Sequence, residues 1–299
     1  RVELYEWLLS LGQGNQILQE LSEPIAGTND VAPAPAWTPI ELVFQSRELF
    51  LAYCDALILG DKWESFAGLL RHGKLPIVRL DEELMRSLCG FQLDEPQGDV
   101  DRHLAAALSF ARAAHDEAGL RRVAATAERI GHLHYSVEAI SSLPAANQRI
   151  RLENLGRLYH LQIQLGDVDG IMSAAESILA LKPGLKPYAD DLQYLRLLTG
   201  IDMESVVDDL KNATDTGRAI SPAHSVIRAL AAFRCGEQQM LKECARSIDP
   251  ARLAVGPRAV LAGLLAAAGD CSAGVQIAGK ITGATLLPDE RWFLQAALR

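Results

Sequence analysis

Four glycines, Gly166, Gly200, Gly236 and Gly269, each close an apolar-periodic stretch, and the steps between them are 34, 36 and 33 residues. The clearest copy, Leu152 to Pro183, reads LENLGRLYHLQIQLGDVDGIMSAAESILALKP, two helical patterns divided at Gly166-Asp167. A self-similar period of this size marks a helical-repeat array. One helix pair leaves an apolar side bare, so such units become stable by stacking, and the stack needs polar or capped ends. Aromatics make up only 6% of the chain while alanine and leucine are abundant, which suits helix-on-helix contact better than a β-branched sheet. The expected class is all-α, and an array of this kind works through the shape of a surface rather than through a chemical motif.

Three regions follow from the pattern. Residues 1–39 read as an N-terminal helical fragment with a Gly12-Gln13-Gly14 corner, then a linker from Ser22 to Pro39 containing Pro24, Pro33, Pro35 and Pro39. Residues 40–147 form an irregular helical-hairpin region. Helices are expected from Ile40 to Leu59, closed by Gly60-Asp61, then over Lys62–Leu70 and Arg79–Gly90, with DEPQGD (94–99) as a loop. Val100–Glu117 and Leu120–Ile130 read as a pair turning at Gly119, and Tyr135–Leu143 as a further short helix. Residues 148–299 hold the regular units, 150–165 with 168–181, 187–198 with 203–213, 222–234 with 237–247, and 255–268 with 271–281. Leu287-Pro288-Asp289-Glu290 starts a last, capping helix, with proline in the first turn and two acids at the positive end of the dipole.

Those units resemble tetratricopeptide repeats. Gly166-Asp167 stands for the family's corner, Pro183 follows 17 residues after the glycine, and Leu158 fits the leucine of the first helix. Ala262 and Gly274 match the small residues that let the two helices approach, whereas Tyr159 and Ile171 depart from that pattern. The resemblance implies a right-handed α-solenoid of antiparallel helix hairpins whose first helices line a concave face, and that face holds an extended peptide or a partner's helix. Carried onto this chain, the groove positions are Glu153, Arg157, His160 and Gln164, then Asp190, Asp191 and Tyr194. In the last two units the same positions are apolar or small: Val226, Ile227, Leu230, Ala259, Val260 and Gly263. A slip of phase, a tightly curled end and an apolar seat for a partner all account for that.

The net charge of −9 lacks the basic footprint of a nucleic-acid binder, so the expected partner is a protein or peptide. A homo-oligomer through the apolar C-terminal end is a further possibility. Cys54, Cys89, Cys235, Cys244 and Cys271 form no CxxC pair and read as buried free thiols of a reducing compartment. No apolar run is long enough to span a membrane, and a cytoplasmic location is expected. The chain begins at Arg1 rather than at methionine, which leaves room for an upstream signal, anchor or further domain.

Chemistry-bearing motifs are few. His132 and His134, two apart, do not share a helix face as zinc ligands at i and i+4 would, and the sequence suggests no metal and no cofactor. Asp81-Glu82-Glu83 admits a glycosidase-like carboxylate pair, the basis of an alternative all-α hydrolase of toroid type, but acids in a first helical turn explain it more simply. The leading expectation is a non-enzymatic scaffold with no catalytic residues. Charge reversal at Arg157 and Asp191 is expected to abolish partner binding if the arginine-bearing and acidic stretches orient a peptide, which calorimetry on the two variants would read.

Overall fold

The computed structural model describes residues 5, 8, 12–22, 43, 44, 46–71, 74–212, 222–283 and 285–299. Among them every long element is an α-helix, and no strand occurs. The chain divides into two compact units, Arg1–Pro144 and Ala145–Arg299. The first holds α1 (Gly14–Ser22), α2 (Arg47–Leu59), α3 (Trp63–Leu70), α4 (Arg79–Gln92), α5 (Gln97–Ala113), α6 (Glu117–Arg129) and α7 (Leu133–Ser141). The second holds α8 (Gln148–Leu165), α9 (Val168–Leu181), α10 (Lys186–Thr199), α11 (Met203–Asn212), α12 (Pro222–Arg234), α13 (Gln238–Arg246), α14 (Val255–Ala267), α15 (Cys271–Ala278) and α16 (Pro288–Leu298). None is long and apolar enough to cross a membrane. The linker beyond Ser22, together with Trp7 and Trp37, falls outside the described residues.

The Gly166-Asp167 corner shows why that dipeptide recurs. Gly166 closes α8 at φ +69°, a left-handed backbone that a Cβ disfavours, and Asp167 then caps α9 by accepting the Gly170 N–H at 3.1 Å. Left-handed residues recur within the corners at 61, 94, 131, 166, 200, 236 and 269, at steps of 33, 37, 35, 34, 36 and 33. The period therefore continues into the first unit, where Asp61 (φ +54°) and Asp94 (φ +53°) take the glycine's place. Aspartate is one of the few residues that tolerates this conformation.

That substitution corrects the expected pairing. Helix α4 packs most extensively on α5 and α6 on α7, rather than residues 100–117 on 120–130. Helix α5 begins at Gln97, inside the expected loop, because Pro96 sits just before its first turn and Asp94 has already reversed the chain. The turn before α6 falls at His115-Asp116, and Gly119 lies inside the helix, donating its N–H to the Asp116 carboxylate at 2.9 Å. A Cβ at Gly119 would stand 2.5 Å from that carboxylate and 2.8 Å from the Leu80 side chain, so the glycine serves close packing rather than a turn.

In the second unit one continuous core runs from Tyr159 to Phe293. Alternate helices touch: α10 meets α12, α12 meets α14, and α14 meets α16. Helices α14 and α15 approach closely where Gly274 faces Ala262, since a Cβ there would lie 2.7 Å from the Ala262 carbonyl oxygen. On its other side α14 receives α16 across Gly263, where a Cβ would lie 2.6 Å from the backbone oxygen of Phe293. The Phe293 ring is 1% exposed and meets Phe233 edge-on at 5.5 Å. Val226, Ile227, Leu230, Ala259 and Val260 are buried in the same interior. Of the three accounts of these apolar positions, a closed and buried end fits their burial, with Gly263 covered by the chain's own last helix.

Gly263→Val is expected to push α16 off its seat at a cost of about 1–3 kcal/mol. A lowered urea midpoint checks this.

Candidate functional site

The second unit contains a cleft of ≈ 410 Å³, open to solvent on one side. Its walls come from Tyr159 and Ile163 of α8, Ile171 of α9, Asp190, Asp191 and Tyr194 of α10, Ala223 and Ile227 of α12, and Val255 to Pro257 of α14. Leu286, Leu287 and Glu290 close it at the start of α16. Most of these side chains are apolar. The volume lies in the range of small-molecule and side-chain pockets.

Two tyrosine–carboxylate pairs supply the polarity. The Tyr159 hydroxyl donates to Asp191 Oδ2 at 2.5 Å, and the Tyr194 hydroxyl donates to Glu290 Oε1 at 2.9 Å. Glu290 Oε2 also accepts the Leu287 N–H at 3.0 Å, an N-terminal capping contact that orients the carboxylate. Gly256 leaves room for it, since a Cβ would stand 2.1 Å from Oε1. The Tyr159 ring is steadied edge-on by Tyr188 at 5.0 Å.

Both carboxyls are held above their usual range. For Asp191 the main cause is lost hydration, helped by neighbouring Asp190 and opposed by the Tyr159 hydrogen bond. Water does reach the Asp191 side chain, but the concave wall displaces much of its hydration shell. For Glu290 desolvation again leads, the Leu287 N–H and Tyr194 hydroxyl pull the other way, and Asp289 adds a smaller upward push. Burial also raises both tyrosines, Tyr194 well above its usual range, and the carboxylates beside them add to this, so their hydroxyls stay protonated donors.

Of the seven groove positions read from the sequence, the cleft gathers Asp190, Asp191 and Tyr194. Glu153, Arg157, His160 and Gln164 lie elsewhere on α8. Glu153 pairs with Arg149 at 3.0 Å, His160 lies edge-on against Tyr159 at 5.6 Å, and Gln164 is exposed. The wall of α8 uses Tyr159 and Ile163 instead, one helical face around from the expected stripe. Tyr159 and Ile171, the two departures from the repeat pattern, both line the cleft, and that was the available sequence signal.

The other candidates in the first unit are engaged in structural contacts. Asp81 holds Arg122 at 2.5 Å and Arg47 at 3.2 Å, Glu82 holds Arg86 at 2.8 Å, and Glu83 meets His103 at 2.6 Å. The acidic triplet is thereby divided among separate partners. His132 precedes α7 and meets Asp101 at 2.8 Å. Among the described residues no cluster of three or more potential ligands is arranged for a metal. Cys54 and Cys89 are buried, but Cys235 and Cys271 are exposed, correcting the expectation that all five thiols are interior. Cys235 lies beyond the last residue of α12 and Cys271 opens α15, and helix ends at corners face solvent.

No protein-family model matches the chain, and no curated protein aligns with it significantly.

A carboxyl raised in the folded state favours folding when protonated, and that contribution is lost as pH rises through its folded value. Asp191→Asn keeps an acceptor for Tyr159 and removes the penalty. The variant is expected to melt higher than wild type at neutral pH, with the difference vanishing below about pH 4. Thermal melts across that range check the sign.

Proposed function

We propose that this chain is a non-enzymatic scaffold that seats a partner's peptide or helix in the cleft of its second unit. The cleft is the concave face of a right-handed, tetratricopeptide-like α-solenoid of antiparallel hairpins. The observation that carries this reading is the composition of the walls: each successive first helix contributes to them, and they are mostly apolar. Left-handed corners at steps of 33 to 37 residues support the repeat architecture. Stacking such units places equivalent helix faces side by side, producing a continuous binding surface without any catalytic motif.

A second reading is favoured by one observation. Asp191 and Glu290 share the cleft and both hold protons above the usual carboxyl range, the condition a glycoside hydrolase imposes on its acid. Against it, both Glu290 oxygens are engaged and the walls offer little polarity for a sugar. Chromogenic glycosides would decide the matter: turnover abolished by Asp191→Asn would establish the hydrolase.

For the scaffold, Ala223→Trp is expected to fill the cleft from an exposed position without entering the core. Met240→Arg, at a 43% exposed site outside the cleft, serves as control. Partner capture should be lost with Ala223→Trp and kept with Met240→Arg, at unchanged helicity by circular dichroism. Capture that survives Ala223→Trp would reject the cleft as the binding face.

A further inference from the structure

The chemistry of the cleft narrows what it can seat. Among the described residues its charged groups are the carboxylates Asp190, Asp191 and Glu290, and none of the described lysines, arginines or histidines lines it. Asp190 has no ion pair or hydrogen bond among the described residues, and Asp191 accepts only from Tyr159. Both tyrosine hydroxyls are already committed as donors to carboxylates, so the walls present unused acceptors and a negative field, concentrated by apolar surroundings. An anion would be repelled here. A wholly apolar ligand would leave the Asp191 carboxylate dehydrated without compensation. A cation on a methylene stem meets both demands, since the stem lies along apolar surface while the head reaches the acids.

The rim indicates the size of the occupant. Ile163 and Val255 line the cleft yet stay 41% and 39% exposed, so apolar surface continues out to where water reaches. A free amine small enough to sit at the acids would leave that surface wet, whereas a peptide covers the rim as its side chain fills the interior.

We infer that the cleft seats an apolar peptide segment through one lysine or arginine side chain, its stem against Ile163 and Ile227 and its charged head at Asp190 and Asp191. This rests on the peptide-binding reading of the same cleft and adds the chemical class of the partner. The two adjacent carboxylates repel each other, and an arriving cation relieves that repulsion. The contact is a charge-assisted hydrogen bond in a partly dehydrated site, stronger than an ion pair in open water. Screening by salt should weaken it.

The test uses the whole chain and a random library of displayed peptides with blocked ends, selected in parallel on wild type, on the Ala223→Trp variant and on an Asp190→Asn, Asp191→Asn double variant. Wild type is expected to enrich peptides with one basic residue among apolar ones, and the two variants to lose them. Replacing that basic residue by glutamine in a selected peptide should weaken binding at least about tenfold by fluorescence anisotropy. Hexylammonium ion is the small-molecule probe and is expected to compete only weakly. Peptides that depend on the open cleft but lack a basic residue would overturn the inference and leave the scaffold reading standing. Enrichment of nothing that Ala223→Trp removes would overturn both. Hexylammonium binding as tightly as the selected peptides would assign the cleft to a small amine and overturn the peptide. Circular dichroism of both variants confirms that they are folded.

Discussion

A chain can fold one helix back on the next through a short corner only where it reverses sharply, and a left-handed residue makes such a corner here at 61, 94, 131, 166, 200, 236 and 269. For a residue with a Cβ the conformation costs roughly 1 kcal/mol, tolerable at a few corners and a reason for glycine at the others. At two of the turns an aspartate also caps the helix that follows. Asp167 does so directly after Gly166, and Asp116 plays the same part after the left-handed His115. The period is thus a backbone constraint before it is a pattern of apolar residues.

Once the pairs are formed, the inner helices decide where the core is solid and where it opens. At the C-terminal end α14 is all but enclosed: Ala259 to Leu264 are buried, with α15 on one side and α16 on another. Small residues make that possible, Gly274 toward α15 and Gly263 toward α16. Without a helix on that side, the apolar face of α14 would meet water. Here α16 covers that surface with Phe293 while turning Glu290 toward Tyr194, 96 positions earlier in the chain. The helix that caps the core therefore also supplies one wall of the cleft. The same buried contacts that hold α16 in place fix the geometry of the site.

How much of this the sequence disclosed depends on which residue did each job. Where glycine makes the corner, in the second unit, the helices lie within a few residues of the pattern read from the letters. Where Asp94 makes it, nothing marks the corner, because aspartate is equally at home in caps and exposed turns, whereas Asp61 was given away by the glycine before it. Gly119 then misleads in the opposite sense, a glycine kept for space beside Asp116 and Leu80 rather than for a turn. The cleft was legible only in part for similar reasons. Asp190, Asp191 and Tyr194, read as groove positions, line it, whereas on α8 its lining is Tyr159 and Ile163 rather than His160 and Gln164. Glu290 was visible only as a helix start. Its second role depends on a contact across 96 residues, and local pattern carries no information at that range.

The two units surround their least hydrated carboxylates in opposite ways. In the first, Asp81 is 7% exposed and draws Arg47 from α2 and Arg122 from α6, so its charge is compensated on the spot and ties three helices together. In the second, Asp191 and Glu290 receive tyrosine hydroxyls and, among the described residues, no cation, an arrangement in which desolvation holds both carboxyls above their usual range. A void left by poor packing would be lined by hydrocarbon and stay dry, with no reason to gather acids. Acids kept where they weaken the fold are the mark of a surface shaped for something other than stability. The same chain places arginine beside aspartate where Asp81 is buried, whereas among the described residues no cation lines the cleft, so its acids are satisfied by hydroxyl donors alone.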